Sequence, residues 1–418
     1  MTWVSGPPPS IALGPLGARN KIRDLDTFDF DPFQSGAAVP HAQYATWREE
    51  CPVARLAIGW FLSKQADVLA ATKDVDTFVA SFREPGVVVP EDEKFINEIA
   101  EPRHGQIRKI INAAVAHHKA MRVEPVVRAL TESHLAPILA RGHGELISEL
   151  VAPVPVNVIS HLIGVPPADW EHFRRWSDEV VHGTYPTKSR NERGSGLAGA
   201  HPEFTEYVDA LVAARRVDGA RPDDLVTRLL ETAIDGYRLT DVEVRTQLVF
   251  LIISGNETTR HLIANLLATL ATRPDVFAAL QSDRRLVERA VEESLRHAPP
   301  IQLLLRNVMQ PGLRFGVEMC PGEKVVYGIA SANRDKDVFD RADEFVLDRS
   351  NWREHVAFGG GPHVCPGASL ARLEARVVVE TVLDRVSRIE PEPGWMPRKT
   401  PVFWANGPVD WPVRVTVR

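Results

Sequence analysis

Residues 358–367 read FGGGPHVCPG: three glycines after a phenylalanine, then His-x-Cys, with proline directly after the cysteine. The ordinary reading of such a stretch is a glycine-rich loop entering a helix, with an isolated thiol packed as a small apolar residue. The other reading is a loop shaped to hold a thiolate against something flat and large. A thiolate is a soft ligand that suits iron, copper(I) or zinc. Zinc would need three or four ligands, and only His355 and His363 stand near Cys365, so a structural zinc site does not fit.

The rest of the chain narrows the choice. Its 418 residues, 44% hydrophobic and 25% charged, describe a globular protein able to bury a large core. A net charge of −6 leaves no footprint for nucleic acid or anionic membranes. Cys51, Cys320 and Cys365 are odd in number and far apart, which argues against disulfides and for a reducing compartment. The opening MTWVSGPPPSIALGPLG lacks the regions of a signal peptide and is expected to be a flexible Pro/Gly arm over 1–22. The apolar run LVFLII at 248–253 is too short to span a bilayer, so a cytoplasmic protein is expected.

Helical periodicity is expected at 41–50 and 65–73, on either side of β-type runs in 53–64 that Gly59 interrupts. From about 103 to 300 the pattern is helical almost throughout. Its longest stretch, 239–275, starts at Leu239-Thr240-Asp241 and stops at Arg273-Pro274. It is apolar on nearly all sides through its middle and should cross the core. Short strands are expected at 313–328 and 401–418. These patterns predict one mainly α domain over 23–418 with a small β-rich lobe.

FGGGPHVCPG resembles the haem-binding loop of the cytochrome P-450 superfamily, Phe-x-x-Gly-x-(Arg/His)-x-Cys-x-Gly. The matching positions are Phe358, Gly361, His363, Cys365 and Gly367. The resemblance implies that Cys365 is the proximal thiolate of a haem b and that the glycines clear the porphyrin edge of β-carbons. Proline is favoured at the first helical position, so a helix is expected with Cys365 at its N-cap and Pro366 at N1. Glu293 and Arg296 resemble the family's Glu-x-x-Arg motif and Arg349 the arginine completing it, a buried charge network that braces the cysteine loop.

Ser254-Gly255-Asn256-Glu257-Thr258-Thr259, inside the long apolar helix, resembles the family's oxygen-activation motif. This implies that Gly255 opens a groove for dioxygen, that Thr258 hydrogen-bonds the oxygen being activated and that Glu257 helps relay protons. His104 and Arg108 resemble the family's His-x-x-x-Arg pair. With Arg306, His355 and His363 they are the implied partners of the haem propionates. The resemblance runs from about residue 40 to 418 and places the haem between the long central helix and the cysteine-loop helix.

The implied reaction is monooxygenation of a hydrophobic small molecule, such as a steroid, terpenoid or lipid chain. No flavin or nicotinamide fingerprint occurs, so electrons are expected from a separate ferredoxin and its NAD(P)H-dependent reductase. Arg108, Lys109, His117, His118, Lys119 and Arg122 form the expected basic dock. Val88, Ser254, Gly255, Ile301, Gln302, Leu304 and Trp404 are the expected substrate contacts. A haem-thiolate sensor without turnover and a peroxide-driven enzyme on the same fold are the alternatives. The Glu257–Thr258 pair disfavours both, because neither needs a managed proton relay.

Overall fold

The computed structural model describes residues 38–80, 89–115, 120–182, 201–217 and 222–418. The expected N-terminal arm, Val88, and the basic residues His117, His118 and Lys119 lie outside them.

Helix α1 (His41–Glu50), strands β1 (Val53–Leu56) and β2 (Gly59–Leu62), and α2 (Gln65–Lys73) form where the sequence predicts. After β3 (Phe78–Val79), helices dominate: α3 (Arg103–Ala114), α4 (Glu124–Arg141) and, past β4 (His143–Glu145), α5 (Pro153–Ile163). Next come α6 (Trp170–His182), α7 (Pro202–Val217) and α8 (Leu225–Glu231). The long α9 (Asp241–Thr272) is followed by α10 (Pro274–Ser282) and α11 (Leu286–His297). Strands β5 (Leu304–Val308), β6 (Gly312–Arg314), β7 (Val317–Met319) and β8 (Lys324–Tyr327) lead to the one-turn α12 (Ile329–Ala332). Last come α13 (Ala368–Arg385), β9 (Val386–Pro391) and β10 (Pro412–Val417).

The β-rich lobe is a five-stranded sheet in the order β1-β2-β8-β5-β3, antiparallel except where β2 meets β8. A smaller sheet, β4-β10-β9, lies elsewhere, and β6–β7 is a separate hairpin. Strands β3, β4, β5 and β9 were not among the predicted ones, and the expected strand at 401–418 is confined to Pro412–Val417. β9 begins at the residue directly after α13, so its register comes from pairing with β10 and not from any local break.

Helix α9 holds the rest in place. The Glu243 N–H donates to the Thr240 hydroxyl (3.2 Å) and the Thr240 N–H to the Glu243 carboxylate (2.8 Å), a reciprocal N-terminal cap. At the other end Arg273 leaves helical geometry ahead of Pro274, the first residue of α10. In between, α9 crosses two apolar clusters. Leu248, Val249 and Ile252 pack in the first, with Phe173, Phe204 and Leu229; Leu262, Ile263, Leu266 and Leu267 pack in the second, with Leu295 and Val378. Each such buried Leu or Ile is worth roughly 1.5–3 kcal/mol before conformational entropy is set against it. Ser254–Thr259 falls between the clusters and contributes no apolar side chain, so the polar stretch is carried into the middle of the molecule by the helix on either side of it. Among the described residues, no helix is long and apolar enough to cross a membrane.

Candidate active site

The Cys365 N–H donates to the Phe358 carbonyl at 2.9 Å, which closes the loop on itself. A β-carbon at Gly361 would stand 2.2 Å from the carbonyl oxygen of Thr72 at the end of α2, and one at Gly360 would stand 2.7 Å from the Thr72 hydroxyl. Gly361 also has φ of +61°. Gly360 and Gly361 thus let the loop lie against α2, a requirement the sequence reading did not anticipate beside the implied clearance of a porphyrin edge. A β-carbon on Gly367, by contrast, would make only an ordinary 3.9 Å contact with Cys365 Sγ.

Helix α13 starts at Ala368 with Gly367 as its N-cap, so Cys365 and Pro366 stand ahead of the helix and not at its N-cap and first turn as predicted. The intervening turn aims the N–H groups of Gly367 and Ala368 at the sulfur. Cys365 is solvent-accessible, yet protein encloses it on most sides. Burial pushes its thiol up; the Gly367 N–H, Arg108, Arg372 and the Ala368 N–H oppose that rise without cancelling it. A bound cation is what would keep such a sulfur deprotonated. Among the described residues, no group of three or more His, Cys, Asp or Glu side chains could hold a metal ion. A metal on Cys365 must therefore bring most of its own ligands, as an iron porphyrin does.

Four basic side chains converge nearby. The rings of His104 and His363 lie 4.4 Å apart. Burial, then the charges of His104, Arg306 and Arg108, push His363 down to about 4. Burial likewise lowers Arg108 and Arg306. Arg306 donates to the carbonyl of its own neighbour Leu305 (2.8 Å) and lies over the Tyr327 ring. Arg108 donates to the Val364 carbonyl. His104 is 3% exposed; its Nδ1 meets Glu101 at 2.8 Å, and its Nε2 has no hydrogen-bond partner among the described residues. Two arginines and two histidines, one with a buried, unpaired ring nitrogen, fit a ligand with two carboxylates, which is what haem presents.

His355 does not belong to this group, contrary to expectation. Its Nε2 meets the Glu292 carboxylate at 3.0 Å and its Nδ1 accepts the Ala357 N–H at 3.3 Å, so both ring nitrogens are committed. Glu292 also receives Arg372, whose guanidinium lies 4.5 Å from the Phe358 ring centroid. One residue further on, Glu293 takes a bidentate pair from Arg296 at 2.7 and 2.9 Å and is joined by Arg349 at 3.1 Å. These three side chains are almost wholly buried. Arg296 also donates to the carbonyls of Asn333, Ala342 and Glu344, tying the chain ahead of the cysteine loop to α11.

On α9, a β-carbon at Gly255 would meet nothing within 4 Å, so this turn faces open space. The Thr258 hydroxyl donates to the Ser254 carbonyl at 2.7 Å, a bond of the kind that bends helices. Glu257 is fully buried, with Oε1 2.8 Å from His261 Nε2 and Oε2 on Arg260. Arg260 also reaches Asp178, and Asn256 donates to Ser177, both on α6. A cavity of about 700 Å³, including space open to solvent, runs between α9 and α13 and is lined by Gly255, Thr259, Gly367 and Ala371.

The expected substrate residues divide. Ser254 and Gly255 face open space in the middle of α9. Ile301 is half-buried and bridges Ala405, and half-buried Leu304 packs on the main sheet. Gln302 is corrected: its amide donates to the carbonyls of Phe403 (2.5 Å) and Ala405 (3.5 Å), so it clamps the C-terminal loop. Trp404 packs half-buried against the cluster of Tyr44, Trp47 and Phe61. Sequence reasoning missed His261, Glu292, Arg372 and Glu374. The Glu257/His261 spacing of four on a helix was the available signal for the first; Glu292 and Arg372 announce themselves only through distant partners.

A sequence model of the cytochrome P-450 family matches residues 193–403. The chain is 33% identical over 385 residues to cytochrome P-450 107B1 of Saccharopolyspora erythraea, covering 87% of this chain and 91% of that one. It is 31% identical over 366 residues to a steroid C26-monooxygenase of Mycobacterium tuberculosis, covering 87% and 89%. A cytochrome P-450 structure from Chondromyces apiculatus superposes with a TM-score of 0.81 at 31% identity, covering 91% of this chain and 96% of that one. With a lone cysteine loop and a group of basic side chains beside it, the chain belongs to the cytochrome P-450 family, the haem-thiolate monooxygenases.

Proposed function

We propose that this enzyme hydroxylates a hydrophobic molecule of steroid or macrolide character, using haem b and electrons from a ferredoxin and its reductase. The observation that carries the haem assignment is the group of basic side chains His104, Arg108, Arg306 and His363 beside Cys365, with His104 Nε2 unpartnered among the described residues. Cys365 would hold the iron; the four basic residues would hold the carboxylates; Phe358 and Gly367 would flank the sulfur. When bound, the haem supplies dioxygen activation and insertion of one oxygen atom into substrate.

The chain's own groups do the rest. Gly255 leaves the groove open, and the Thr258 hydroxyl stands on it with a proton to share. Glu257, held by His261 and Arg260, orients that end of the helix and manages proton traffic. Ser254, Ile301 and Leu304 offer a largely apolar surface that excludes water and favours an apolar substrate. One similar protein is a steroid C26-monooxygenase and another an erythromycin C-12 hydroxylase, which supports a large, apolar-skeleton substrate here.

The test is a ferrous–carbon monoxide difference spectrum, expected at the red-shifted position of thiolate haems and lost in Cys365→Ser. A panel of sterols, macrolides and fatty acids should then be screened for displacement of iron-bound water. An unchanged spectrum in Cys365→Ser overturns the ligand assignment, and binding confined to polar compounds overturns the substrate class.

A further inference from the structure

Glu101 stands just ahead of α3 and closes a clamp on its first turn. One carboxylate oxygen meets His104 Nδ1 at 2.8 Å, and the other accepts the Gly105 N–H at 3.0 Å. That N–H is one of the donors a helix start leaves without an intrahelical partner. Pro102, at the N-cap, offers no side-chain acceptor for it. A serine, threonine or aspartate at the cap would have served, so capping alone does not call for a residue that also holds the ring. Gly105 belongs to the same arrangement. A β-carbon there would stand 2.9 Å from Glu101 Oε2 and displace it, and glycine is otherwise a poor helix residue.

The two ring nitrogens of His104 then have different surroundings. Nδ1 faces a carboxylate, which only accepts, so it carries an N–H. Nε2 is buried and without a partner among the described residues, on a ring 4.4 Å from that of His363. A neutral imidazole has one N–H; with that one spent on Glu101, Nε2 would be a bare acceptor, the wrong group for a second carboxylate. A ring set between two carboxylates needs an N–H on both nitrogens, and a carboxylate behind it favours that form. The same bond is the first cause of a lowered Glu101 carboxyl. Histidines that hold metals are oriented by outer carboxylates in this way. Arg103 is committed to Glu91 and Glu243, so it does not draw Glu101 off the ring.

We propose that Glu101 is a positioning residue for the haem: it fixes the His104 ring and keeps an N–H on each of its nitrogens, so that Nε2 meets a haem carboxylate as a charged donor. This rests on the assignment of His104 to those carboxylates. Glu101 acts through that one ring, and Gly105 makes room for it to do so.

The experiment follows haem transfer from the full-length, loaded protein to excess apomyoglobin. Glu101→Gln and His104→Ala should each speed transfer roughly tenfold, the low end for a hydrogen bond between charged groups. The double variant should lose haem no faster than His104→Ala, because the glutamate has nothing left to act through. Gly105→Ala, whose β-carbon displaces the carboxylate, should reproduce Glu101→Gln. Ring-nitrogen NMR of the histidine-labelled ferrous–carbon monoxide form should show an N–H on both nitrogens of His104 in the wild type and on one in Glu101→Gln. The signal is identified by its loss in His104→Ala. A single N–H in the wild type overturns the proposal, as does wild-type transfer in Glu101→Gln. So does further acceleration by Glu101→Gln in the His104→Ala background, which would make the glutamate a helix cap and nothing more. If His104→Ala alone leaves transfer unchanged, the assignment of His104 to the haem carboxylates falls and the proposal with it, whereas the carbon monoxide spectrum tests Cys365 separately.

Discussion

Gly407 lies against the ring of His261 so closely that a β-carbon on the glycine would stand 2.1 Å from Nδ1 and 2.6 Å from Cγ. The other ring nitrogen of His261 is the one that meets Glu257 at 2.8 Å. A loop near the C-terminus therefore fixes the rotamer of a histidine on α9, and through it the carboxylate beside Thr258. Gly407→Ala should push His261 off Glu257 while leaving the haem site in place. Product formed per NAD(P)H consumed is expected to fall, and His261→Ala should reproduce the fall. Full coupling in both variants would remove the His261–Glu257 pair from proton handling.

Thr258 offers a sharper test of the same groove. Its hydroxyl donates to the Ser254 carbonyl of its own helix and can exchange that partner for one in the groove. Thr258→Ala should bind substrate normally but divert reduced oxygen to hydrogen peroxide. A positioned proton donor is typically worth ~10² to 10⁴ in rate, part of which water can replace. Equal peroxide yields in variant and wild type would exclude the hydroxyl from the mechanism.

Much of this was legible before any coordinates. The ends of α9 are written in Thr240, Glu243 and Pro274, because caps and proline act within a few residues. The convergence of His104, Arg108, Arg306 and His363 follows motif by motif along the chain. What was illegible depends on approach between distant segments. Nothing near Gly361 announces that Thr72 will lie beneath it. His355 reads as a haem partner until Glu292, on another helix, takes its ring. Glu374 in ARLEARVVVE looks like an exposed partner for a neighbouring arginine, and only packing of α13 against α9 buries it.

Glu292 predicts how the protein responds to acid. Burial alone would raise its carboxyl, but hydrogen bonds from His355 and Arg372 hold it at about 2 against the ordinary 4.5. A carboxyl depressed in the folded state stabilises fully above pH 4.5 and loses that contribution as pH falls towards about 2. The contribution is on the order of 3 kcal/mol at neutral pH. Glu292→Gln should lower stability at pH 7 and flatten its decline through the acid window. An unfolding midpoint with the wild-type acid slope would show that the pair contributes nothing.

Lys109 tests the electron donor. It is 62% exposed beside Asp235, while Arg122 stands near Asp223, so both of these cations are partly offset by an acid. Lys109→Glu reverses the balance at the exposed position. Reduction by a ferredoxin should slow in the variant, and added salt should slow the wild type but affect the variant less. A rate indifferent to both would put the dock on another face.

Pro366 stands between Cys365, the proposed iron ligand, and the two N–H groups, of Gly367 and Ala368, that point at its Sγ. Hydrogen bonds to a ligating sulfur withdraw charge from it and raise the potential of the metal it holds. Proline supplies no N–H, so the sulfur keeps two such donors where another residue would add a third. Because α13 begins only at Ala368, Pro366 is not needed as the first residue of that helix, and replacing it leaves the N-cap at Gly367 untouched. Pro366→Ala should therefore raise the ferric/ferrous potential while the carbon monoxide spectrum still reports a thiolate. A redox titration that gives the wild-type potential, with the fold and spectrum intact, would reduce Pro366 to a shaper of the turn.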